Sequence, residues 1–207
     1  MKKIVINILI MMLGCIGINA QTSASAYIDN VISSIKESDG INAQFVLQGD
    51  YNSGQYLQGT LKMRGKKFCL TTNDMTSWYD GKTMWSYSKS IDEVNITEPT
   101  QQELMEINPY TSLENYKQIF TVAELKSERN GERRFMFTPT KRNTYIKSVV
   151  ITISTAQMAP ILFEITNTQD VKTVITITNY NNKANLPAST FTFDATKYPN
   201  TSIIDLR

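Results

Sequence analysis

The chain has 207 residues, an apolar fraction of 41% and modest Gly and Pro contents, enough to bury one sizeable core and without the composition of a disordered protein. A formal net charge of +2 provides no strong field to select nucleic acid or an anionic membrane, and no nucleic-acid partner is expected. The chain has no histidine, which excludes Ser-His-Asp and Cys-His nucleophilic machinery and most catalytic zinc sites.

Lys2 and Lys3 precede an apolar run from Ile4 to about Gly17, and Ile18-Asn19-Ala20 follows with a small residue at its end. This pattern predicts a secretory signal peptide over 1–20, too short for a membrane span, with cleavage after Ala20 and a periplasmic mature protein. The mature chain, 21–207, is expected to form one domain. Cleavage removes both lysines, so its side-chain charge falls close to zero. Met12-Leu13-Gly14-Cys15 loosely resembles a bacterial lipobox, in which Cys15 would be lipidated and retained as an anchor. Met12 stands where leucine is usual, and ordinary cleavage is the expected course. Cys69 is then the one cysteine of the mature chain and has no disulfide partner. It reads as a buried structural thiol, because no imidazole exists to activate it.

Tyr27, Ile28, Val31, Ile32 and Ile35 recur at three- and four-residue intervals, with Asp29, Ser33, Ser34 and Lys36 between them, and Asp39-Gly40 closes the segment. The spacing predicts an amphipathic helix with one face to bury. After it the period becomes two. Strands are predicted over 42–50 and 55–64 around an Asn52-Ser53-Gly54 turn, then over 66–72, 77–79 and 83–88, with Asp80-Gly81 as a hairpin signal. Further strands are predicted over 133–138, 145–154, 161–168, 171–180 and 190–193. Phe135 and Phe137 share a face, as do Phe191 and Phe193; Tyr145, Val149, Ile151 and Ile153 share one face while Ser148, Thr152 and Ser154 share the other. Many short strands without crossover helices argue for one large antiparallel sheet, curled or closed.

The β pattern breaks between Ile96 and Val122. The segment 98–107 has helical composition, and 109–116 offers a second short helix, with Pro99 and Pro109 suited to first helical positions. Such an insertion is either a plug for one barrel end or a lid over a cavity. No carboxylate pair is placed for glycosidic chemistry: Asp92 and Glu93 are adjacent at a strand end and point to opposite faces. Neither a glycine-rich phosphate loop nor a calcium-loop spacing is present, and no cofactor or metal is expected.

The stretch from Gly59 to Phe68, GTLKMRGKKF, followed by YDGKTMWSY over 79–87 and DEVNI over 92–96, resembles the signature of LolA-type periplasmic outer-membrane lipoprotein carriers. The ending FTFD and YPNTSIIDL, from Phe191 to Leu206, is similar to that family's C-terminal strand and tail. The resemblance implies a mainly β fold: an incomplete antiparallel barrel, or half-barrel, with an N-terminal helix and a helical lid around an apolar cavity. It also implies a monomeric carrier, not an enzyme. Such a carrier takes lipoproteins from an inner-membrane lipoprotein-releasing transporter, shields their acyl chains and passes them toward the outer membrane, where no acceptor is identified by the sequence.

Carried over residue by residue, the family pattern makes Arg64 the candidate tie between barrel and lid. The sequence departs from it at Gly65, where the family has proline, and the run from Gly59 to Phe68 is one residue short. A one-residue shift changes the face on which Arg64 stands, which leaves solvent as its alternative. Cavity lining is expected from Leu61, Met63, Phe68, Trp85 and Tyr87 of the sheet and from Leu104, Ile107, Tyr110 and Leu113 of the lid, although strand aromatics also serve as plain core. Two other readings stay open here: a hydrophobic-metabolite binder on the same fold, and a lipid-anchored envelope module.

Overall fold

The computed structural model of the chain describes residues 16–49, 56–100, 103–104, 116–141 and 145–207, with side chains from Ala24 onward. Most of the expected signal peptide, Cys15 included, lies outside the described residues, as does the Asn52-Ser53-Gly54 turn. Helix α1, Ile16–Lys36, runs across the bond after Ala20. Cleavage there would trim its beginning and leave the amphipathic part whole. Ala24, Ile28 and Val31 are buried, with Tyr27, Ile32 and Ile35 packed beside them, so the spacing in the sequence becomes one buried stripe.

Among the described residues, all twelve strands belong to one sheet. β1 (Ile41–Gln48), β2 (Tyr56–Arg64), β3 (Lys67–Thr72), β4 (Met75–Tyr79), β5 (Met84–Ser88) and β6 (Glu93–Thr97) form an antiparallel meander. A second meander comprises β7 (Phe120–Leu125), β8 (Glu132–Pro139), β9 (Ile146–Ser154), β10 (Ala159–Asn167) and β11 (Lys172–Asn181). The two join where β1 pairs with β11, and β12 (Ser202–Asp205) adds to β6 in parallel. The order is β12-β6-β5-β4-β3-β2-β1-β11-β10-β9-β8-β7, with β12 and β7 as free edges, so the barrel is incomplete as expected.

Twelve strands laid flat at a spacing of about 4.8 Å would span more than 50 Å. Yet side chains from β1 to β4 and from β7 to β11 meet in one hydrophobic cluster with α1. The sheet therefore curls, with an apolar inner face that carries the helix. Phe135 and Phe137 both stand on this face, fully buried.

Three segments differ from the sequence reading. Residues 190–193, expected as a strand, belong to a 3₁₀ turn at Ala188–Phe191 and the stretch after it; this chain lies across the outer face, where it makes no ladder pairing, and Phe191 is its buried anchor. β6, β7 and β12 join the strands that were expected. In the helical insertion, Thr100 forms a capping box with Glu103: the Thr100 N–H donates to Glu103 Oε2 at 2.7 Å and the Glu103 N–H to Thr100 Oγ1 at 3.3 Å. Pro99 thus precedes the cap and does not occupy the first helical position. Residues 105–115 lie outside the described residues, and the short helix α2, Tyr116–Ile119, leads into β7.

The β2–β3 hairpin explains the missing proline. Arg64 pairs with Lys67, which leaves a two-residue loop, and Gly65 takes φ +57° at its first position. That is where a type II′ turn uses glycine. Proline fixes φ near −65° and cannot adopt this value. Gly65→Pro is expected to cost about 1–3 kcal/mol and, for a chain of this size, to lower Tm by roughly 2–10 °C. Calorimetry of the variant checks this, and an unchanged midpoint would contradict the turn assignment.

Candidate functional site

Residues opposite one another on neighbouring strands share a face. The register Ile41–Met63–Phe68–Tyr79–Met84–Thr97 therefore traces a row across the inner face of six strands. A parallel row holds Ala43, Leu61, Leu70, Ser77 and Ser86. Met63, Phe68, Tyr79 and Leu61 are buried, and the Phe68 and Tyr79 rings lie 5.4 Å apart. Phe45, Leu70 and Met84 are only partly buried against the same cluster. Phe45 lies over Gly59, where a Cβ would meet its ring and the Thr71 carbonyl oxygen; glycine here makes room for the aromatic.

Helix α1 is fastened over the other half of this face. The Tyr27 ring stacks on Phe135 at 5.4 Å, and the Arg133 guanidinium lies 3.8 Å from its centroid. Arg133 is held in turn by two hydrogen bonds donated to the Glu124 carboxylate, at 2.8 and 2.7 Å. Those bonds hold Glu124 below the ordinary carboxylate range. Asp29, on the same helix, accepts from the Tyr116 hydroxyl at 3.0 Å and from Lys117 Nζ at 2.6 Å, while Tyr116 also donates to the Ser25 carbonyl. Burial, and then the Asp29 carboxylate, push the Tyr116 phenol up to about 12.

The structure separates the expected lining into two groups. Leu61, Met63 and Phe68 stand on the inner face, and Leu104 is buried in the same cluster. Trp85 and Tyr87 stand on the outer face, paired with Trp78 and Thr76, which corrects the expectation that they line one cavity with Phe68. Tyr87 packs on Tyr198 at 4.8 Å and donates to Asp92 Oδ1 at 3.1 Å. Ile107, Tyr110 and Leu113 lie outside the described residues. The residues that sequence reasoning missed are Tyr79 and Met84. They follow from Phe68 through the pairings Phe68–Tyr79 and Tyr79–Met84, a register that the Asp80-Gly81 loop fixes.

Arg64 does not face open solvent. It stands on the outer face, opposite to the side where Leu104 is buried, donates to the Leu186 carbonyl at 2.6 Å and lies 5.6 Å from the Phe191 ring centroid. There it clamps the C-terminal segment, which packs Leu186 and Phe191 onto Cys69 and Trp78. Burial pushes the Cys69 thiol up, away from its nucleophilic form.

Chemically, the inner face is mainly apolar, broken by Ser77 and Ser86 of the second row and by the Arg133–Glu124 ion pair. Among the described residues no group of His, Cys, Asp or Glu is placed to hold a metal ion, and no helix is long and apolar enough to cross a membrane. At the end of the long row, between β6 and the capping box, a pocket of about 690 Å³ opens beside Met84, Thr97, Pro99 and Leu206. Thr97 Oγ1 is buried there without a hydrogen-bond partner.

A family model described as outer membrane lipoprotein carrier protein LolA matches residues 17–169. The crystal structure of an uncharacterized conserved protein from Thermus thermophilus is similar with TM-score 0.60 at 11% identity, over 88% of this chain and 99% of that one. A DUF1329 family protein from Desulfovibrio piger gives 0.48 at 12% identity, over 84% and 98% of the two chains. A LolA superfamily protein from Nitrosomonas europaea gives 0.45 at 10% identity, over 83% and 98%. At these identities the likeness concerns the fold, and the Thermus structure carries it. No curated protein matches the chain.

Tyr116 and Tyr180 make the fold sensitive to alkali. Burial pushes the Tyr180 phenol up to about 12, like that of Tyr116. Tyrosine in the unfolded chain titrates near ~10, so both phenols favour the folded state below that pH, and this stabilisation is lost as pH rises from about 10 through about 12. Denaturation midpoints measured along that range should fall, and should fall less for the Tyr116→Phe, Tyr180→Phe double variant. Equal slopes for parent and variant would contradict the assignment.

Proposed function

We propose, on the premise that the chain belongs to the family of the outer membrane lipoprotein carrier protein LolA, that it is a periplasmic monomer that carries the acyl chains of lipoproteins on the inner face of its sheet. Cargo comes from an inner-membrane lipoprotein-releasing transporter and leaves toward the outer membrane, with no covalent chemistry on the way. The observation that carries this reading is the inner row from Ile41 to Met84, apolar along its length and flanked by the partly exposed Phe45 and Leu70. An acyl chain laid along it gains about 0.8 kcal/mol per buried CH₂.

A carrier must also release what it binds. Helix α1 and the buried Leu104 themselves cover much of the inner cluster. Cargo therefore exchanges with protein side chains for the same apolar surface, and only the difference between the two sets of contacts counts as affinity. The chain has no histidine, so imidazole-based acyl transfer plays no part.

Leu70→Asp sets a carboxylate on the inner face, whereas Thr176→Asp sets one at an outer position of β11 as a control. The first is expected to weaken binding of a fluorescent acyl-chain probe by about 1–3 kcal/mol and the second to leave it unchanged. Thermal melts confirm that both fold. Equal binding by parent and Leu70→Asp would remove the inner face as the acyl site, and mass spectrometry of periplasmic copurifying species that found no acylated protein would remove the lipoprotein cargo.

A further inference from the structure

Among the described residues, many cations face a carboxylate. Lys82 pairs with Glu98, Lys147 with Asp170, and Arg134 and Lys172 share Glu164. The β2–β3 hairpin gathers several that do not. Lys62, Arg64, Lys66 and Lys67 fall within its turn and strand ends, and among the described residues none of the four has a carboxylate within ion-pair distance. The register Lys62–Cys69 and Arg64–Lys67 puts three of them on the outer face, and Lys66 is exposed in the turn. A chain close to neutral overall thus concentrates uncompensated positive charge at one end of its outer face.

A groove of about 520 Å³ lies beside Lys62, between the sheet and the C-terminal segment. Trp78 and Phe193 form its apolar wall, and Ser189, Thr190 and Thr192 bring hydroxyls. Its other two charges are already matched: Lys197 Nζ lies 3.4 Å from Asp194 Oδ2, and Asp194 Oδ1 also accepts from the N–H and hydroxyl of Thr196. Lys62 is left as the groove's uncompensated cation.

We propose that this end of the outer face docks on an anionic phospholipid surface, one phosphodiester headgroup entering the groove beside Lys62 while Lys66 and Lys67 meet its neighbours. A phosphodiester needs positive charge together with directional donors, and the groove supplies an ammonium and hydroxyls. The three lysines and Arg64 form the kind of basic cluster that anionic leaflets attract. An acidic protein surface would use the strip and leave the groove idle, and a free phosphate ester would use the groove and leave the strip idle. A membrane uses both. The site lies on the face opposite the inner row, so it acts independently of the carrier reading and leaves that face accessible while the protein is docked.

Flotation of the mature protein with vesicles tests this. Binding is expected to phosphatidylcholine vesicles that contain phosphatidylglycerol, not to phosphatidylcholine alone, and to weaken as salt rises. Lys66→Gln and Lys67→Gln should each weaken it about fivefold. Thr190→Val, which changes no charge, should weaken it too, and this effect separates the groove from simple charge attraction. None of these variants should alter acyl-probe binding or the melting temperature. Equal binding to neutral vesicles, parent-like binding by the lysine variants, or binding of inorganic phosphate without binding of vesicles would overturn the proposal.

Discussion

The Tyr27 ring, stacked on Phe135 with the Arg133 guanidinium close to both rings, fixes helix α1 against the inside of the curled sheet, and the rest of the architecture depends on that attachment. A sheet of this width exposes two faces and has a core only if something lies in its curve. Phe137, Ile151 and Ile153 are buried because the helix and the sheet wall meet there. The guanidinium can remain over the ring because Glu124 binds it through two hydrogen bonds, so its charge is matched where it sits. Asp29 extends the same fastening to Tyr116 and Lys117, and so ties the start of the second meander to the helix.

The two faces of the first meander have been given different tasks. The inner one is apolar and partly open. The outer one is sealed by the C-terminal segment, with Arg64 as its clamp and Phe191 as its plug. Gly65 is the local cause of this division. A two-residue turn at φ +57° sets the register in which Met63 and Phe68 face inward together, and Arg64 must then face outward. The arginine that the family pattern would assign to a lid is used here to hold a tail.

How much of this was legible in the sequence depended on the kind of information each element carries. Helix α1 was legible because its apolar spacing is local and strong, and most strands were legible because they alternate. Trp85 and Tyr87 were placed on the wrong face for a definite reason: alternation tells which residues share a side but not which side is inside, and their bulk favoured the inner one. Only the pairing of Tyr79 with Met84 across the Asp80-Gly81 loop decides it. Thr190–Phe193 alternates like a strand, yet it crosses the sheet as a 3₁₀ turn and the stretch after it, because its role is to plug a surface. β12 escaped notice because four residues carry little periodicity and its partner, β6, is over a hundred positions away. Arg64 could be singled out by family resemblance, but its partner, the Leu186 carbonyl, is a backbone atom that no side-chain pattern announces.

The seam where β1 meets β11 has a kinetic consequence. Every other antiparallel pair in the sheet links strands that are consecutive in the chain, whereas this one joins residues 42–48 to residues 174–181. The two meanders can each assemble by short-range closure, but the continuous sheet exists only after a loop of well over a hundred residues has been closed. Closure of that length is slow, since its entropy is lost before any seam contact is gained. Until that seam closes, a meander formed on its own presents part of its apolar inner face. Exposure of that face to misassembly is thus set by topology before any detail of sequence.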